Sequence, residues 1–78
     1  MPINKIADAI TKIVNCPREN IVPEAELLSL GIDSLKAINI LFELEEEFDI
    51  EIPNERIPEM TTVSDIVDCI EELRDKQT

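Results

Sequence analysis

The chain of 78 residues has no histidine, tryptophan or tyrosine, one glycine and two cysteines. Without histidine, the usual general base for a serine or cysteine nucleophile is missing. A structural zinc site is improbable for the same reason, and no CxxC pair is present. Two cysteines are too few for a disulfide framework. Cys16 and Cys69 therefore read as reduced residues used in packing. With two phenylalanines as the only aromatics, the core must be built from Ile, Leu and Val. No apolar run approaches the roughly 20 residues that a membrane span needs. The N-terminal "MPINKIADAI" lacks the unbroken apolar stretch of a secretory leader, so a cytoplasmic protein is expected.

Acid dominates what is present. Eighteen acidic residues against seven basic ones give a net charge of −11. Seven acids (Asp33, Glu43, Glu45, Glu46, Glu47, Asp49, Glu51) crowd residues 33–51, with Lys36 as the one base. Such a surface repels phosphate backbones and anionic lipid, which argues against nucleic acid and membranes as partners. It favours proteins that carry a basic patch. The length fits one domain, residues 1–78, whose small core buries about 60–65% of the unfolded surface.

Three helical patterns stand out. Ile3, Ile6, Ala7, Ile10, Ile13 and Val14 form an apolar stripe, with Lys5, Asp8 and Lys12 opposite and Pro17 as terminator. A second helix is predicted over Ser34–Phe48, with Asp33 or Ser34 as its N-cap. A third follows Val63, Ile66, Val67, Ile70 and Leu73, opened by a capping box of Thr62 and Asp65. In "NERIPEM", Ile57 and Met60 can anchor a short extra helix. "FDIEI", residues 48–52, alternates like a strand but has no companion to pair with, so it is expected to be loop. The connection from Cys16 to Asp33 is long for a compact domain, a length that often marks function. Ile21, Val22, Leu27, Leu28 and Leu30 are expected to pin it to the core. The expected fold is all-α, a small bundle of three main helices plus one short one.

The second helix is more apolar than one buried face requires. Ile40, Leu41, Leu44 and Phe48 fall on one side, and Leu35, Ile38 and Phe42 on an adjacent strip. Either the long loop covers the second strip, or the strip is a docking patch rimmed by Glu43, Glu45, Glu46 and Glu47. Ser34 has an analogous pair of readings, helix cap or reactive hydroxyl. Lys36 lies two residues on and points elsewhere. The acidic run lacks the spaced ligands and glycine of a calcium loop. No catalytic set is present, so a reaction at Ser34 needs activation by another protein.

"LGIDSLKAINILFELEEEFDIEIP" closely resembles the acyl carrier protein family, through Leu30-Gly31-x-Asp33-Ser34-Leu35, Glu45-Glu46-Glu47-Phe48 and Ile52-Pro53, with Thr61-Thr62-Val63 further on. The resemblance spans nearly the whole chain. It implies that Ser34 is esterified by 4′-phosphopantetheine, transferred from coenzyme A by a phosphopantetheinyl transferase with Mg²⁺. The arm's thiol would then carry an acyl or aminoacyl group as a thioester between a loading ligase or transferase and downstream synthases. Asp33 resembles the acid that contacts the transferase and its metal, and Gly31 permits the turn before it. Leu35, Ile38 and Phe42 match the family's docking patch, and Ile40, Leu41, Leu44 and Phe48 its core side. Lys36, Asn39, Glu45, Glu46 and Glu55 complete the partner-binding set that the resemblance implies. Weak, salt-sensitive docking suits such a shuttle. Carriers of primary fatty acid synthesis usually have acids at the positions of Lys36 and Asn39. "SLKA" looks more like carriers of polyketide or peptide assembly, whereas "EEEFDIEIP" looks more like the fatty acid type. In the short helix Glu55 keeps an acid, but Arg56 adds a base beside it. The resemblance thus implies a stand-alone, specialised, monomeric carrier. The competing reading is a non-catalytic helical adaptor in which Ser34 only caps a helix.

Overall fold

The computed structural model describes residues 3–76. Three α-helices dominate it: α1 (Ile3–Ile13), α2 (Ser34–Phe48) and α3 (Val63–Lys76). A short 3₁₀ helix, Asn54–Glu59, joins α2 to α3. No strand forms among the described residues; one isolated antiparallel bridge links Glu26 to Thr62. The three α-helices and the short one between them match the expected bundle. Two further single turns of 3₁₀ helix, Arg18–Asn20 and Leu28–Leu30, break up the long connection that the sequence left without structure.

Apolar residues at helical spacing converge on one core. Ile6 and Ile10 of α1, Ile40 and Leu44 of α2, and Val63 and Ile70 of α3 are sealed from solvent. Cys69 joins them, and burial pushes its thiol above its usual value, which keeps it protonated and suits a packing role. Cys16 is half-buried against the same core. In the long connection Ile21, Leu27 and Leu30 are buried as expected. Val22 and Leu28 are not: both are exposed, and Ile32 takes an inner place instead. The connection is held by backbone pairing with residues distant in sequence. Leu27 N–H donates to Thr61 C=O (2.9 Å), Val63 N–H to Ala25 C=O (3.0 Å) and Ser64 N–H to Pro23 C=O (2.9 Å). Ladder-like pairing of this kind turns whichever side chains it must toward solvent.

The helix ends are set by local chemistry. Gly31 closes the Leu28–Leu30 turn at φ +86°, a left-handed conformation that costs glycine nothing. Beyond α2, Asp49 adopts φ 55°, and its N–H and that of Ile50 both return to Glu45 C=O. The Glu45 carboxylate also accepts from Ile52 N–H (2.8 Å), which fastens "FDIEI" as loop with Ile50 and Ile52 buried. At the start of α3 the capping box forms as expected. Asp65 N–H donates to Thr62 Oγ1 (3.2 Å), while Asp65 Oδ2 accepts from Thr62 N–H (3.1 Å).

Asp65 also accepts from the Thr61 backbone N–H (2.8 Å) and hydroxyl (2.9 Å). These bonds, the Thr61 backbone one foremost, hold its carboxyl below the ordinary value of about 3.8. A depressed folded pKa contributes stability above the unfolded pKa, which disappears as pH falls through the folded value. Asp65→Asn is therefore expected to be less stable than wild type at pH 7, by about 1 kcal/mol. The difference should shrink to nothing as pH drops below the ordinary carboxylate range. Urea titrations of both proteins at several pH values check this; a gap that persists undiminished in acid would contradict it.

Candidate functional site

The N-terminus of α2 resolves the question of which residue caps it. Asp33 is extended (φ −87°, ψ −176°), and its Oδ1 accepts from Lys36 N–H at 2.8 Å. Asp33 is thus the N-cap. Ser34 is the first helical residue, exposed, and its hydroxyl has no hydrogen-bond partner among the described residues. Ser34 also lies on the wall of a cleft of about 430 Å³, bounded chiefly by Leu28, Ile32, Ala37, Ile57, Pro58 and Met60. Ile57 of the short helix and Met60 just beyond its end line it; both are half-buried and packed against the core, the anchoring that the sequence predicts. Beneath, Leu27, Ile40, Leu41 and Ile66 close on a residual space of about 10 Å³.

The outward side of α2 carries Leu35 (68% exposed) and Phe42 (59% exposed), with Ile38 half-buried between them. The long loop therefore does not cover this strip, and Ile40, Leu41 and Leu44 take the core. Phe48 is half-buried with the Arg74 guanidinium 5.2 Å above its ring. Lys36, Asn39 and Glu46 are exposed, and so is Glu55 on the short helix, where the neighbouring Arg56 pairs with Glu59 and Glu72. The acidic rim is smaller than the sequence suggests. Glu43 pairs with Lys12 (3.6 Å) and Glu47 with Lys5, both on the α1 side. Hydrogen bonding to Glu47 raises the Lys5 pKa further. Glu45 is half-buried and turned toward Ile52.

Sequence reasoning placed Leu28 in the core. It is 79% exposed and lines the cleft beside Ser34. A residue in irregular chain has no periodicity to reveal its side, so no sequence signal marked it.

An accessible, unbonded hydroxyl at the positive end of a helix suits a phosphate ester, because the helix dipole favours negative charge there. The phosphopantetheine attachment site family matches residues 4–70. The chain belongs to the acyl carrier protein family. An acyl carrier protein from Syntrophobacter fumaroxidans (strain DSM 10017 / MPOB) is 43% identical over 67 residues, covering 85% of this chain and 83% of that protein. The fold matches the crystal structure of an acyl carrier protein from Thermotoga maritima with a TM-score of 0.88. That match covers 97% of this chain and 89% of the other, at 24% identity. Membership makes the protein a phosphopantetheine-bearing acyl carrier, the covalent arm supplying a thiol that holds acyl groups. It also implies a phosphopantetheinyl transferase and acyl-handling enzymes as partners. No helix among the described residues is long and apolar enough to cross a membrane.

Proposed function

We propose that Ser34 receives the 4′-phosphopantetheine arm and that the chain, one carrier domain over residues 1–78, performs no chemistry of its own. The observation that carries this reading is the free Ser34 hydroxyl, left available because Asp33 supplies the cap. Ser34 Oγ forms the new ester bond to phosphorus, the pyrophosphate bond of coenzyme A breaks, and the nucleotide half leaves. The serine proton passes to a base of the transferase, since this chain has no histidine to accept it. Asp33 keeps one carboxylate oxygen outside the cap bond, available to the transferase and its Mg²⁺. The cleft bounded by Leu28, Ile57 and Met60 offers an apolar wall next to the attachment point. Leu35, Lys36, Ile38, Asn39, Phe42, Glu46 and Glu55 form the partner-facing set. Glu45 contributes indirectly, by fixing the end of α2.

The exposed Lys36 and Asn39 support a specialised carrier of an acyl or aminoacyl group, working as a monomer in the cytoplasm. A helical adaptor whose serine only caps α2 loses its main support, because the cap is Asp33. Incubation with coenzyme A, Mg²⁺ and a broad-specificity phosphopantetheinyl transferase tests the reading. Intact-protein mass spectrometry should show a single phosphopantetheinyl addition, and fragmentation should place it on Ser34. No addition, or addition elsewhere, would count against the site.

A further inference from the structure

The short helix Asn54–Glu59 hangs between two fixed points. Before it, Ile52 is buried and its N–H is bonded to Glu45. After it, Thr61 C=O accepts from Leu27 N–H (2.9 Å), and Thr61 N–H donates to Asp65 (2.8 Å). Between these points no residue of the short helix is buried. Segments with few buried contacts are the first to open locally. Apolar packing alone therefore holds this one weakly.

Arg56 supplies a sideways tie. Its Nη2 donates to Glu72 Oε2 of α3 (3.2 Å), and its Nε lies 3.8 Å from Glu59 Oε1. Only 26% of the Arg56 side chain is exposed, the least of any ion-paired side chain among the described residues. The guanidinium also lies near enough to Cys69 for the two to interact electrostatically, and that thiol is sealed from solvent. The pair thus spans the seam between the short helix and α3, beside Cys69. The opposite wall of the segment faces the cleft. With three residues per turn, Arg56 and Glu59 share one face, and Ile57 and Met60 share the next. Ile57 and Met60 line the cleft beside Ser34. Pro58, between them, fixes its own φ and stiffens the segment, so a displacement of one face carries the other with it.

We propose that Arg56 is a latch: its bond to Glu72 holds the short helix against α3 and so sets the opening of the cleft that Ile57 and Met60 line. Releasing the latch swings the segment outward, widens the cleft and uncovers Cys69. Arg56 keeps a quarter of its surface in solvent, so dissolved ions screen the pair, and an anion that captures the guanidinium releases it. The latch goes beyond the Ser34 reading and stands without it, because the serine hydroxyl takes no part in it.

Cys69 serves as the reporter in the full chain, with Cys16→Ser as background so that one thiol remains. Labelling by the neutral reagent N-ethylmaleimide under native conditions is followed by intact-protein mass spectrometry. Arg56→Ala and Glu72→Gln should each speed labelling about fivefold, and the double variant no more than either alone. Raising NaCl from about 50 to about 500 mM should speed labelling of the Arg56 protein and leave Arg56→Ala unchanged. Mild urea should alter the rates little, the sign of a local opening rather than global unfolding. On the cleft side, relaxation dispersion of the Ile57 and Met60 methyl groups should show exchange in Arg56→Ala that the Arg56 protein lacks. Unchanged labelling in both single variants, or effects that simply add in the double variant, would overturn the latch. So would labelling that follows the full urea dependence of unfolding. Faster labelling with quiet Ile57 and Met60 methyl groups would overturn the coupling to the cleft. Failure of phosphopantetheinyl addition at Ser34 would leave every one of these results standing, so the two readings fail separately.

Discussion

A Leu44→Ala variant is expected to lose about 2–5 kcal/mol of stability, whereas Phe42→Ala, two residues earlier on the same helix, is expected to lose almost none. Leu44 has no exposed surface and lies within the one continuous core that residues of all three α-helices form. Its truncation removes buried methyl groups and leaves a cavity that the surrounding isoleucines can only partly refill. Phe42 keeps more than half of its surface in solvent, so little buried area disappears with its ring. The loss at Leu44 is severe for a chain of this size, whose total stability is on the order of 4–12 kcal/mol. Urea denaturation followed by circular dichroism measures both variants. Comparable midpoints for the two would mean that the apolar strips of α2 had been assigned to the wrong sides.

That assignment illustrates what periodicity can and cannot convey. Spacing within α2 separates two apolar strips but does not say which one faces inward. The answer lies in how α1 and α3 pack, which depends on residues dozens of positions away. The resemblance to acyl carrier proteins supplied the correct sides, and the exposure of Leu35 and Phe42 now gives the physical ground. The three α-helices were legible because each carries its own stripe and end signals, Thr62 with Asp65 being the clearest. The long connection was not, since Val22 and Leu28 point outward to suit backbone pairing with the start of α3. The inward bond of Glu45 was hidden for a similar reason. The bond to Ile52 N–H depends on a chain reversal through the left-handed Asp49, which has no pattern in sequence. At the site itself, two adjacent residues were each able to cap α2. The extended backbone of Asp33 decides between them and leaves Ser34 free.

Replacing Ser34 with alanine is expected to abolish phosphopantetheinyl addition completely while leaving the fold intact. The hydroxyl makes no hydrogen bond among the described residues, and alanine is the best helix former, so the melting temperature should stay level or rise slightly. Asp33 is subtler, because its carboxylate both caps α2 and, in the proposed function, meets the transferase and its metal. Asparagine separates the two roles. It caps a helix about as well as aspartate, so Asp33→Asn should change stability by no more than about 1 kcal/mol, the part owed to lost charge at the dipole. Its modification rate should nonetheless fall about 10–100-fold, the usual scale when a group supporting a metal is replaced. Asp33→Ala should lose the cap as well, costing a further 0.5–2 kcal/mol or so in addition to the rate. Single-turnover modification at several Mg²⁺ concentrations reads the second role directly: the Asp33→Asn deficit should narrow as Mg²⁺ rises. An asparagine variant modified as fast as wild type would confine Asp33 to its cap, and the metal contact would then have to come from the transferase alone. The same result would leave Ser34 as the only residue of the pair with a chemical part in modification.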